Sequence, residues 1–160
     1  TDEVNWDVAD FAFAGALLIG TGITYELAVR RTGDIAYRAA VGVALAAAVI
    51  LVWVNGAVGI IGTESDDANL MYVGVLAVGI IGAVSARFQP HGMARALFAT
   101  ALAQALVAVI ALLAGLGSPR SGPGEILILN GFFVALFVGS AWLFRKAARG
   151  RSEQGAVRQS

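Results

Sequence analysis

Four amide or carboxylate side chains lie within long apolar segments of the sequence: Glu26, Asn55, Gln104 and Asn130. A polar group is costly to bury in hydrocarbon, so each of these residues is a candidate for binding or transport unless it has a structural partner. Gln104 is the most central, near the middle of its segment. It can contact a solute or water, or it can donate a hydrogen bond to another helix, which is the interpretation we favour.

Asn55 and Asn130 lie near the same end of their segments if these segments form antiparallel helices. With a rise of about 1.5 Å per residue, Asn55 is about 9 Å and Asn130 about 6 Å from that end. The two amides therefore form either a shared polar pocket or, as we favour, a clamp between two helices. We expect Asn55, Asn130 and Gln104 all to face protein rather than lipid, because no water is available in hydrocarbon to satisfy them.

Glu26 precedes Arg30 by four residues, which is the favourable order for an ion pair along a helix. A carboxylate in this position could carry a proton. We favour a structural ion pair with Arg30, or with Arg38 or Arg95 from neighbouring helices.

The sequence lacks the signatures of common catalytic and cofactor sites. It has no cysteine and one histidine, which excludes thiolate and multi-histidine metal sites. It has no GxxxxGK[ST] loop for phosphate and no HExxH motif for zinc. The only lysine, Lys146, lies at the rim of an apolar segment and cannot form a Schiff base inside a bundle. We expect no enzymatic activity, no cofactor and no metal.

The composition is that of a protein that contacts lipid. Of 160 residues, 58% are hydrophobic and 14% are charged. Soluble domains are about 45–50% apolar and about 25% charged. A chain of this size cannot bury so much apolar surface in a water-excluding core.

Five apolar stretches reach the length of about 20 residues that a spanning helix needs, and none alternates as barrel strands do. They cover residues 11–29, 39–61, 70–86, 93–116 and 126–144. The fold class is therefore all-α: an integral membrane bundle of five transmembrane helices over residues 1–148. The polar tail 149–160 is expected to fray, and Gln89–Gly92 predicts a turn between the third and fourth spans.

The charges predict the orientation of this bundle. With five spans, ten of the eleven Lys and Arg residues fall on one side and only Arg120 on the other, whereas eight of the eleven acidic residues fall on Arg120's side. Because cytoplasmic loops are enriched in Lys and Arg, we expect the N-terminus outside and the C-terminus in the cytoplasm. The acidic N-terminus lacks the basic region of a signal peptide, so we expect the first span to be retained.

Three pairs of small residues have the spacing that lets helix backbones approach one another. They are Ala16 with Gly20, Gly42 with Ala46, and Ala101 with Ala105. The bias towards Ala, Gly, Val and Arg is typical of GC-rich bacterial genomes, so we expect a bacterial inner-membrane protein.

Two classes of function remain. The first, which we favour, is a non-catalytic accessory or assembly subunit that contacts the lipid bilayer and either another membrane protein or a second copy of itself. The second is a small oligomeric transporter or channel for a small solute or ion. An enzyme or pigment carrier is the least favoured interpretation. The basic cluster at 145–151 is interpreted as an orientation signal, and nucleic-acid binding is not expected.

Overall fold

A computed structural model describes residues 8–30, 34–57, 70–114 and 123–159, without the side chains of residues 55–57, 123 and 151. These residues form five helices and, within the described ranges, no strand. The helices are α1 (Val8–Val29), α2 (Ile35–Ala57), α3 (Met71–Ser85), α4 (Pro90–Leu113) and α5 (Pro123–Gln159). The predicted all-α class is confirmed.

Four of the five described helices are long and apolar enough to cross a membrane: α1, α2, α4 and α5. The remaining helix, α3, has 15 residues. It therefore rises about 22 Å, less than the roughly 30 Å of a bilayer's hydrocarbon core.

The turn between α3 and α4 lies a few residues before its predicted position at Gln89–Gly92. It is formed by residues 86–88, and α4 begins at Pro90. Proline suits the first turn of a helix because its missing N–H would have no partner there. Arg87 and Phe88 adopt positive φ angles of 51° and 59°, which is unusual for residues with a Cβ. The Tyr37 hydroxyl donates to the Phe88 carbonyl at 2.6 Å and ties this turn to α2.

The expectation of a frayed C-terminal tail is wrong, because α5 continues to Gln159 over 37 residues. Residues 145–159 contain no proline, and most of them are Arg, Lys, Ala, Gln or Glu, which are good helix formers. Ala147 is buried, and Lys146 lies 5.7 Å from the centre of the Trp142 ring. The chain therefore leaves the apolar part of the bundle as a continuous polar helix.

Helix α4 is central and α1 is peripheral. Eleven residues of α4 are buried, whereas α1 buries two, Ala28 and Val29. Helix α4 packs between α3 and α5, α2 packs on α5, and α1 packs mainly on α2. The apolar core consequently lies between α2, α3, α4 and α5.

Two contacts fix the start of α2 against α5. The Ser140 hydroxyl donates to the Ala40 carbonyl at 2.7 Å, and the rings of Tyr37 and Phe144 meet edge-on with centroids 5.4 Å apart. The start of α2 is also bonded to the α3–α4 turn through Tyr37, and it follows the end of α1 closely in the sequence. The start of α2, the α3–α4 turn and the end of α1 therefore lie at the same end of the bundle. Because Arg30, Arg38 and Arg87 belong to these segments, we call it the arginine end.

Glycines bring α3 and α4 close together. Gly79 faces Thr100 and Gly82 faces Ala96, so the two helices run antiparallel. A Cβ on Gly82 would lie 2.7 Å from the Ala96 Cβ, and one on Gly79 would lie 3.1 Å from the Thr100 hydroxyl. Glycine at position 82 therefore permits the observed separation of the two helices, and a Cβ on Gly79 would require Thr100 to shift.

We predict that Gly82→Ala destabilises the protein by about 1–3 kcal/mol, the usual cost of overpacking a filled contact. The matched control is Gly74→Ala in the same helix, where a Cβ meets nothing within 4 Å. The control should be neutral or stabilising by up to about 1 kcal/mol, because alanine favours a helix over glycine. Denaturant unfolding in detergent measures both variants, and equal effects would contradict the proposed close approach.

Candidate functional site: a buried amide cluster and an apolar groove

Three polar side chains from three helices meet inside the bundle. The Asn130 carbonyl oxygen (Oδ1) on α5 accepts hydrogen bonds from the Gln104 Nε2 on α4 at 2.7 Å and from the Tyr72 hydroxyl on α3 at 3.0 Å. All three are buried: Asn130 is 1% exposed, Gln104 0% and Tyr72 2%. We call this group the amide cluster.

The hydrogen bonds determine how both amides are oriented. The Asn130 Nδ2 donates to the Ile126 carbonyl one turn earlier, at 2.9 Å. Turning this amide over would direct its NH2 group at the Gln104 and Tyr72 donors and its oxygen at a carbonyl. Asn130 therefore presents only its oxygen to α3 and α4, and Gln104 must present its NH2 group in return.

One acceptor in the cluster has no partner among the described residues: the Gln104 carbonyl oxygen, Oε1. A buried polar atom without a hydrogen bond is destabilising by about 1–3 kcal/mol. The cluster therefore retains the capacity to accept one hydrogen bond from a small donor such as water.

The prediction that the intramembrane amides face protein is confirmed for Gln104 and Asn130. Asn55 belongs to α2, but its side chain lies outside the described residues, so its expected pairing with Asn130 stays a prediction. The partners that Asn130 has instead are Gln104 and Tyr72.

Glu26 lies apart from the amide cluster, near the end of α1. Its carboxylate lies 3.5 Å from the Arg30 guanidinium, and the two side chains are 69% and 71% exposed. The predicted pairing of Glu26 with Arg30 is confirmed. A pair this exposed contributes little to stability, about 0.3–0.5 kcal/mol for an i,i+4 pair in a helix.

Sequence reasoning missed Tyr72 as a member of the cluster. Its position near the start of an apolar segment is typical of an aromatic residue at the membrane interface. This pattern predicts where the ring lies but not which group the hydroxyl bonds to. Ser140 was missed as well, although a hydroxyl inside the last apolar segment is the same kind of signal as Gln104. Thr100 is buried one turn from Gln104 and donates to its own helix at Ala96.

An apolar groove of about 520 Å³ lies beside the amide cluster. It is bordered by α1 and α3, its floor is formed by α2 and α4, and Phe137 of α5 contributes to it. Thr100 lines the groove, whereas Gln104 does not. The cluster and the groove are therefore separate features.

Comparisons with protein-family models, with curated proteins and with solved structures found no match to this chain.

The amide cluster and the groove offer hydrogen bonding and apolar contact. The described ranges contain no group of three or more His, Cys, Asp or Glu residues that could hold a metal ion. The amide cluster consists of neutral groups, and amides do not exchange protons near neutral pH. It can join helices or hold a polar molecule.

We predict that Asn130→Leu is more destabilising than Gln104→Leu. Losing Asn130 leaves two buried donors, from Tyr72 and Gln104, without an acceptor, which should cost about 2–4 kcal/mol. Losing Gln104 leaves Asn130 still bonded to Tyr72 and removes the unpartnered oxygen, so the cost should be about 1 kcal/mol or less.

Unfolding of both leucine variants in the same detergent measures this difference. Ile128→Leu, on an exposed face of α5, is the control for introducing a leucine outside the cluster and should leave stability unchanged. Equal losses in the two variants, or a larger loss for Gln104→Leu, would contradict a cluster centred on Asn130.

Proposed function

We propose that this chain is a non-catalytic bacterial inner-membrane protein that acts through helix contacts, as an accessory or assembly subunit of a larger membrane complex. The observation that carries the proposal is the position of α1. Only 11% of its most apolar stretch is buried, compared with 44% for α4. Helix α1 therefore offers nearly all of its surface to lipid or to another protein.

The outer face of α1, which points away from the groove, supports contact with another helix. It contains Gly15, Ile19 and Gly22, and a Cβ on either glycine would meet nothing within 4 Å. A glycine inside a helix costs about 1 kcal/mol relative to alanine. Packing within the described chain does not account for this cost, whereas a close approach by a partner helix does.

We place the chain in the membrane with five spans, the N-terminus outside and the arginine end in the cytoplasm. Ten of the eleven Lys and Arg residues on one side support this orientation. The short α3 fits as a span if the bilayer thins locally or if neighbouring helices surround its ends, both of which are ordinary responses to a length mismatch. Tyr72 supports the second possibility, because its hydroxyl is bonded within the bundle at the start of α3.

We predict that the two ends of the α3–α4 hairpin react from opposite sides of the membrane. The chain has no cysteine, so Leu70→Cys and His91→Cys each create a single reactive thiol at an exposed position. In intact spheroplasts a membrane-impermeant maleimide should label the first variant, and it should label the second only after permeabilisation. Labelling of both from the same side would show that α3 does not span.

We further predict that Gly22→Leu abolishes co-purification of a stoichiometric partner from native membranes in mild detergent. A leucine on the outer face of α1 separates the two backbones, because close approach requires a small residue. The matched control is Gly74→Leu on α3, which is also exposed and also has nothing within 4 Å of its Cβ. The subunit proposal fails if no partner co-purifies with the unmodified chain, or if both variants retain it equally.

A small transporter is the second candidate function, and the unpartnered Gln104 carbonyl is the observation that favours it. A transport path through this atom would make Gln104→Leu fold normally and lose solute flux in liposomes. The subunit proposal expects no flux from the unmodified chain. The burial of all three cluster side chains supports the subunit proposal, since a path needs access to its polar groups.

A further inference from the structure

The groove between α1 and α3 has the size of a ligand site. Its volume of about 520 Å³ falls within the roughly 300–1,000 Å³ of pockets that hold small molecules. Its lining comes mainly from α1, α2, α3 and α4. Helix α1 packs on α2 and α3 packs on α4, which leaves the groove open along the side between α1 and α3. In a bilayer, that side faces the acyl chains.

The walls of the groove suit a hydrocarbon. The polar side chains in the lining are three threonines, and each hydroxyl donates to a carbonyl of its own helix at 2.7 Å. Thr21 bonds to Leu17, Thr24 to Gly20 and Thr100 to Ala96. The remaining lining side chains are aliphatic or aromatic. An occupant of the groove therefore finds apolar contacts and no free hydroxyl donor among these described residues.

The groove lies towards the arginine end of the bundle, although on α2 its lining runs from Val41 to Val52 and so passes the middle of that helix. On α1 its lining runs from Ala16 to Ala28, which is about 18 Å at 1.5 Å per residue. On α3 it begins at Leu76 and on α4 it ends at Thr100. A partner helix crosses about 30 Å of hydrocarbon and needs a groove of that length, whereas an acyl chain occupies one leaflet of about 15 Å. The length favours an acyl chain.

Positive charge lies at the end of the groove. Arg87 is exposed and immediately precedes Phe88, which lines the groove. Arg38 is exposed and lies three residues before the lining residue Val41, and so is on the same face of α2. Arg30 is already paired with Glu26, whereas no ion pair with another described residue is found for Arg38 or Arg87.

We propose that this groove binds an anionic phospholipid from the leaflet at the arginine end, with one acyl chain between α1 and α3 and the phosphate beside Arg38 and Arg87. The apolar walls, the one-leaflet length and the positive charge at the mouth each fit this ligand. The site goes beyond the proposed subunit function and requires only that the chain lies in a bilayer. The outer face of α1 remains available to a protein partner.

The first test fills the groove. Gly20 lines it, and a Cβ at this position would meet nothing within 4 Å, so Gly20→Leu adds a side chain in open space. Gly74→Leu is the matched control, because Gly74 is also a helical glycine with nothing within 4 Å of an added Cβ and lies outside the lining. We expect native mass spectrometry of the full chain, purified in mild detergent, to find bound phospholipid on the unmodified protein and on the control.

In the Gly20→Leu variant, lipid occupancy should fall about tenfold or more. This corresponds to the displacement of two CH2 groups from the groove at about 0.8 kcal/mol each. Equal occupancy in Gly20→Leu and Gly74→Leu would overturn the proposal. A photo-crosslinker at position 20 should react with lipid, and reaction with a partner protein instead would assign the groove to a helix and overturn it as well.

The second test concerns the headgroup. The delipidated chain is titrated with phosphatidylglycerol and with phosphatidylcholine that have identical acyl chains. The unmodified protein should prefer phosphatidylglycerol, and Arg38→Gln and Arg87→Gln should each reduce that preference about fivefold, the equivalent of about 1 kcal/mol per charge at an anionic surface. Arg158→Gln, near the far end of α5, is the control and should change nothing.

Absence of a preference in the unmodified protein, or an equal effect of Arg158→Gln, would overturn the assignment of the phosphate to Arg38 and Arg87. Carbonate extraction of the same membranes tests the proposed membrane location independently of the lipid site. A chain that is released by carbonate is not embedded in the bilayer, whereas a chain that stays in the pellet and shows no lipid preference lacks only the lipid site.

Discussion

The hydrogen bonds of Asn130 are the interaction on which the packing of the bundle depends. Its oxygen accepts from α3 and α4 while its nitrogen is held by its own helix. In hydrocarbon, apolar side chains gain little by leaving lipid for protein, so helix association relies on close packing and on polar contacts. A carboxamide that accepts from two helices therefore fixes their rotation and depth relative to α5, which apolar contacts alone do not specify.

This interaction constrains the rest of the α3–α4–α5 unit. Tyr72 and Gln104 can reach Asn130 together only if α3 lies close to α4. Gly79 and Gly82 permit that approach, because a Cβ at either position would collide with or crowd α4. The short turn at residues 86–88 follows from the same requirement. Two helices held so close must be joined by a compact connection, and this one places two residues at positive φ.

The sequence predicts the helices and the burial of the amides well because both depend on one large energy, the cost of leaving a polar group without a hydrogen bond in hydrocarbon. Hydrocarbon requires every backbone group to be bonded within its own segment, so a long apolar stretch becomes a helix. The same cost requires Gln104 and Asn130 to face protein. The identity of the third member was not predictable, because Tyr72 could equally have placed its hydroxyl at an interface with water.

Other features depend on smaller energies, namely the local preferences of residues for helix or turn, which compete with one another. The C-terminal tail is polar and contains Gly150 and Gly155, which suggests fraying, and yet more than half of its residues are good helix formers and the structure is helical to Gln159. Positions 90 and 92 have proline and glycine, which signal a turn, but proline also begins helices, and α4 begins at Pro90. In each case the sequence contains both signals. Intrinsic helix preference decides for the exposed tail, whereas the turn before α4 is held by its contact with Tyr37.

The peripheral position of α1 reflects its packing, which is mainly on α2. Its threonines are bonded to their own helix, and its ion pair is internal. Within the described chain, α1 is attached mainly by apolar packing on α2. The Tyr25 ring lies close to Gly42, since a Cβ built on this glycine would be 3.8 Å from it. A helix held only by such contacts can separate from its neighbours over part of its length at little cost, since lipid replaces protein as an apolar neighbour. The groove exists for this reason, and the two faces of α1 are free to contact different molecules.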